Sequence, residues 1–192
     1  MLYTISLYLH ILGALTMFFA IGIEWLCLIN LRKSETRESI LTWLNCFSIL
    51  KKIFPVAFFL LLIPGIYMMT KIWVDAAWAI LGIIGLLSLS VSGSVLSGKK
   101  MIAIKKEAAQ GEDKFPLSRL SQKVRDKYFW NSFLIRGFVT IGIVFLMTFK
   151  TDFVDSIIVL LISILVGYLT GQATKSPVGQ RKLEVKEEGV LQ

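Results

Sequence analysis

ISLYLHILGALTMFFAIGIEWLCLINL, residues Ile5 to Leu31, is an apolar stretch interrupted by one imidazole, His10, and one carboxylate, Glu24. Crossing ~30 Å of hydrocarbon as an α-helix takes ~20 such residues, so the stretch predicts a transmembrane helix and decides the fold class. It lacks a basic leading segment and an Ala-x-Ala-like cleavage site, and is therefore expected to stay as a helix.

Working outward, four further apolar runs fall at residues 53–70, 76–98, 128–149 and 153–171, each bounded by charges such as Lys52, Lys71, Lys99, Lys127 and Lys150. The expectation is an all-α polytopic transmembrane helical bundle of about five spans covering residues 1–171. A polar tail, residues 172–192, reads as disordered. Of the 192 residues 55% are hydrophobic and 18% charged, with a mean hydropathy of +0.70, a balance that a soluble domain of this size could not hide from water.

The formal charge of +8 does not indicate nucleic acid, because Lys and Arg lie in the gaps between apolar runs and no soluble basic domain accompanies them. The gap after the first run holds Arg32, Lys33, Arg37, Lys51 and Lys52, whereas the next holds Lys71 alone. The third gap is again strongly basic, from Lys99 to Lys127, the fourth carries only Lys150, and the tail carries Lys175, Arg181, Lys182 and Lys186. The positive-inside rule then predicts an N-out, C-in protein of the cytoplasmic (inner) membrane, with anionic lipid headgroups as partners of the basic gaps.

Those two basic gaps carry helical periodicity, Ile40, Trp43, Leu44, Phe47 and Leu50 in one and Leu117, Leu120 and Val124 in the other, which predicts short interfacial helices lying on the cytoplasmic headgroups. Residues 107–116, with Gly111, read as a mobile turn. Cys27 and Cys46 fall on the cytoplasmic side, where a structural disulfide is not expected. No internal repeat of fixed period is evident, which speaks mildly against a secondary transporter.

Ionisable groups inside a span are costly and so are functional candidates, and here they are His10, Glu24 and Arg136. Counting from Arg32 and Lys127 at ~1.5 Å per residue puts Glu24 and Arg136 both about 12 to 14 Å in from the cytoplasmic helix ends, matched in depth and opposite in charge. They are expected to form a salt bridge or a water-bridged pair between the first and fourth helices, as a lock rather than a proton relay, the alternative being that Arg136 snorkels to the cytoplasmic headgroups and Glu24 faces a hydrated crevice. His10, Met17 and Glu24 recur every seven residues, so they form one stripe that should face the bundle interior beside Gly13, Ala14 and Ala20. His10 is the candidate haem or metal ligand, with Met17, Met68, Met69 or Met147 as soft partners.

Pro64 and Gly65 are expected to kink or open the second helix. Ser90, Ser94 and Ser97 mark a tightly packed face or a cavity for a small ligand, quinone or lipid. No His/Cys cluster, phosphate loop or zinc-protease motif is present, so no catalytic residues are assigned.

Leu9-His10-Ile11-Leu12-Gly13-Ala14 resembles the first helix of a loose group of bacterial membrane proteins: copper-resistance D-like proteins, HemJ-type protoporphyrinogen oxidases and an uncharacterised predicted-membrane-protein family. Pro64-Gly65-Ile66-Tyr67 is similar to the end of the second helix in the uncharacterised family, while Met17 stands where the group often has Trp. The resemblance implies a small helical bundle, with His10 as the haem or copper candidate. Three classes of function follow from these residues. The first is a non-enzymatic membrane component acting through helix packing, as a homo-oligomer or with another membrane subunit. The others are a haem- or metal-handling redox protein using His10 and a small-solute or ion transporter using Glu24, Arg136 and the serine-lined interior.

Overall fold

A computed structural model of the chain describes residues 1–74, 76–110 and 116–173, with the side chains of residues 94–96 excepted. The described residues form helices and no strand: α1 (Leu2–Lys33), α2 (Arg37–Ile72), α3 (Ala77–Ser92), a π-helical turn (Gly93–Gly98), α4 (Lys99–Ala109), α5 (Leu117–Val124), α6 (Lys127–Phe149) and α7 (Phe153–Ala173). Half of the expected mobile turn, residues 111–115, and all but two residues of the expected disordered tail fall outside the described residues. Of their described residues, Glu107–Ala109 close α4, Gln110 and Pro116 flank helices, and Gln172 and Ala173 close α7.

Four helical stretches are long and apolar enough to cross a membrane: Leu2–Lys33, Arg37–Ile72, Leu117–Phe149 and Phe153–Ala173. Between 11% and 33% of the residues in their most apolar windows are buried, so most of that apolar surface faces outward and requires lipid as its solvent. The chain is a membrane protein. The expected third span is divided, with an α-helix of 16 residues running into the π-helical turn.

The expected interfacial helix over residues 40–50 does not lie apart from the second span. α2 begins at Thr36, whose hydroxyl accepts the Ser39 N–H at 3.2 Å, and continues through Lys51, Lys52, Pro55 and Pro64 to Ile72. No glycine interrupts residues 37–64, so the two periodic segments fuse into a helix of 36 residues. At ~1.5 Å per residue it is about 54 Å long, well beyond the hydrocarbon thickness.

The overhanging ends build their own core. Ile40, Leu44, Phe47 and Leu50 of α2 pack with Cys27, Leu28 and Leu31 of α1, Met101 and Ile104 of α4, Leu120 and Val124 of α5, and Phe129 and Phe133 of α6. The residues expected to rest on headgroups therefore bury against other helices, because five amphipathic faces meet at this end and each covers another's apolar stripe. Some of the basic residues of the gaps serve the same end: Arg37 donates to Ala108 O at 2.8 Å at the α4 C-terminus, and Arg125 Nε to Arg32 O at 3.2 Å near the end of α1.

Helix pairs are antiparallel, set by small residues. A Cβ on Gly13 would stand 2.8 Å from the Leu60 carbonyl carbon, and one on Gly167 would stand 2.7 Å from Ile135 Cα, so α1–α2 and α6–α7 approach backbone to backbone. α3 and the π-helical turn run against α6 through Gly85 and Ile143, Gly93 and Arg136, and Ser97 and Ser132. The α6–α7 hairpin turns within Lys150–Asp152, where Lys150 adopts φ 52° and lays its ammonium 4.0 Å from the Trp73 ring centre.

Candidate functional site: a crevice lined by Glu24 and Arg136

The α1–α2 hairpin forms one wall and α3 with α6 the other, and between them lies a crevice of about 990 Å³. It reaches from Tyr3, Trp73, Trp78 and Lys150 at the end carrying Met1 to Lys51 and Lys99 at the end carrying the core. Apolar side chains dominate both walls. The stripe His10, Met17 and Glu24 of α1 lines the crevice over its length, because seven-residue spacing returns each residue to the same helix face.

Near the core end Arg136 Nη2 donates to Glu24 Oε1 at 2.9 Å, with 17% and 11% of the two side chains exposed. The guanidinium also stacks 4.3 Å from the Phe133 ring centre. Its Nη1 lies over Gly93, where a Cβ would come within 2.6 Å. Arg136 Nε is buried without a hydrogen-bond partner among the described residues. Next to this cluster Trp25 packs its indole on Gly137, 3.2 Å from where a Cβ would stand. The ion pair thus joins α1, α6 and the π-helical turn at one level, and a π-helical turn is a frequent mark of a functional position in a helix.

Glu24 lies nine residues before the end of α1 at Lys33 and Arg136 nine after the start of α6 at Lys127, so the two are matched in distance from their helix ends, as expected. Gly13 lies against Leu60 and Cys27 against Cys46, and this register sets Glu24 opposite the Ile49–Lys51 turn of α2. Glu24 therefore stands near the level at which the second apolar run begins.

His10 Nδ1 lies 2.8 Å from Leu61 O, and its ring covers Gly65, where a Cβ would stand 3.2 Å away. A carbonyl only accepts, so Nδ1 carries the proton and any further partner meets Nε2. Pro64 and Gly65 do not open α2, which stays helical through both; Gly65 gives the imidazole room against the backbone. Ser97 is buried with its hydroxyl 3.3 Å from that of Ser132, whereas Ser90 is exposed to the crevice. Ser94 lies in the π-helical turn, and its side chain is outside the described part.

As a test of the donor set for a haem or copper ion, His10 offers one nitrogen, and the described residues contain no group of three or more His, Cys, Asp or Glu that could hold a metal ion. A copper site of those ligand types does not fit, whereas a haem bound in the crevice would draw on the imidazole of His10 and on a thioether among Met17, Met68, Met69 and Met147, which line the same space.

Three features had little signal in the sequence: Gly93 as the seat of Arg136, Lys51 turned into the crevice, and the meeting of Cys27 with Cys46. The Ser- and Gly-rich run 88–98 signalled close packing near Gly93 without naming its partner. Compared with known proteins, the chain matches no protein-family model, no curated protein and no solved structure.

Proposed function

We propose that this chain is a non-enzymatic, five-pass component of the cytoplasmic membrane, N-out and C-in, that binds a membrane-soluble amphiphile in its crevice. The observation that carries the proposal is an apolar crevice of about 990 Å³ leading to the Glu24–Arg136 pair. Pockets for small ligands are of this size, mostly apolar with a few convergent polar groups. Lys51, Lys99 and Arg136 outnumber Glu24 at the core end, which favours an anionic polar end on the ligand and hydrocarbon along α1, α2, α3 and α6. Anionic membrane lipid is the ligand class that meets both conditions.

The fifth crossing is supported by the helical continuity of residues 77–98 through the π-helical turn, about 33 Å at ~1.5 Å per residue. Orientation is supported by the alternation of basic and nearly uncharged gaps.

Trp25, Trp73 and Trp78 all line the crevice, so their fluorescence reports occupancy. In detergent micelles titrated with brominated lipid, quenching is expected to saturate at a lower mole fraction with phosphatidylglycerol than with phosphatidylcholine. Arg136→Gln should abolish the difference while the far-ultraviolet dichroism stays helical. Equal quenching by the two lipids, unchanged in the variant, would overturn the proposal.

A further inference from the structure

Cys27 on α1 and Cys46 on α2 face each other with their sulfurs 2.7 Å apart, although 18 residues and the Ser34–Thr36 turn separate them in the chain. Cys27 is 1% exposed and Cys46 is half-buried against the same core. The helices that carry them are pinned to each other on both sides of the pair, by Gly13 against Leu60 toward one end and by the hydroxyls of Ser34 and Ser39, 2.9 Å apart, toward the other. The two thiols are therefore held together by the hairpin, and their hydrogen bond is to each other rather than to the Glu24–Arg136 pair or His10.

We infer that Cys27 and Cys46 form a reversible dithiol–disulfide site whose oxidant is a low-molecular-weight or protein disulfide. Cys46, the more accessible sulfur, loses its proton and attacks one sulfur of the oxidant, forming a mixed disulfide and expelling one thiolate, which takes up that proton. Cys27 then loses its proton and attacks Cys46 Sγ, breaking the mixed bond and releasing the second thiolate, which is protonated in turn. Two protein thiols are oxidised to one disulfide and the oxidant disulfide is reduced to two thiols. On the cytoplasmic side a standing disulfide would be reduced, so the bond there is a transient state and not a permanent brace. It joins α1 to α2 one turn beyond Glu24, and in that state the wall bearing the carboxylate cannot slide along α2.

The test uses the full-length protein in micelles, incubated with oxidised glutathione, denatured in dodecyl sulfate and labelled with polyethylene glycol maleimide. The reduced protein should carry two labels, and the oxidised protein none, with an intact mass lower by two hydrogens and both labels restored by dithiothreitol. Cys27→Ser should instead retain a single glutathione adduct on Cys46. Persistence of two labels after oxidation, or disulfides formed mainly between chains, would overturn the inference. Because the wild-type protein answers the question alone, instability of the serine variant leaves the result decisive.

Discussion

Gly93 is the seat of Arg136: a Cβ at residue 93 would stand 2.6 Å from Nη1 of the guanidinium that reaches Glu24 with its other terminal nitrogen at 2.9 Å. Glycine at that position leaves room for the tip of the guanidinium against the π-helical turn while it remains bonded across to α1. Gly93→Ala should therefore push the guanidinium away from Glu24 and destabilise the protein by about 1–3 kcal/mol, as overpacking at a tight contact does. Thermal unfolding in detergent checks this, and the loss should largely vanish in an Arg136→Gln background.

Removing either partner of the ion pair leaves a buried charge without its counter-charge. Glu24→Gln and Arg136→Gln should each cost about 3–5 kcal/mol, and the double variant markedly less than the two together. Strictly additive losses in the same unfolding assay would mean that the 2.9 Å contact contributes no coupling.

Orientation can be read chemically. In a background of Cys27→Ser and Cys46→Ser, Val74→Cys should be labelled by an impermeant maleimide from outside the cell, and Gln110→Cys only after the membrane is opened. Both positions are exposed, at the α2–α3 connection and the end of α4. The reverse pattern would invert the proposed topology.

His10→Gln removes a bond of 2.8 Å to the Leu61 carbonyl and should cost about 1 kcal/mol, the net worth of one such hydrogen bond. The visible spectrum of the purified protein, oxidised and dithionite-reduced, should be featureless in wild type and variant alike. A Soret band present in the wild type and lost in His10→Ala would replace the amphiphile with haem as the occupant of the crevice.

Much of this architecture is legible in residue order because the bilayer is a severe solvent. An apolar run of ~20 residues has to be helical there, and a stripe such as His10, Met17 and Glu24 has to turn away from lipid. The joining of Glu24 with Arg136 follows the same logic, since opposite charges in a low-dielectric medium strongly favour contact. The segment 37–52 was less legible: its periodicity is that of any amphipathic helix, and nothing local distinguishes an apolar face that meets headgroups from one that meets α1, α4 and α5.

Residence in a membrane, helical structure and the inward stripe of α1 were determined by the sequence itself, through hydropathy, length and the period of the helix. The tertiary structure alone decided the registers: Cys27 beside Cys46, Glu24 level with Ile49–Lys51, Gly93 beneath Arg136. A helix leaves its partner free to slide along its axis, and only the close approach of small residues, Gly13 on Leu60 and Gly167 on Ile135, selects one position. That selection depends on pairs 32 to 47 residues apart in the chain, beyond the reach of any local pattern.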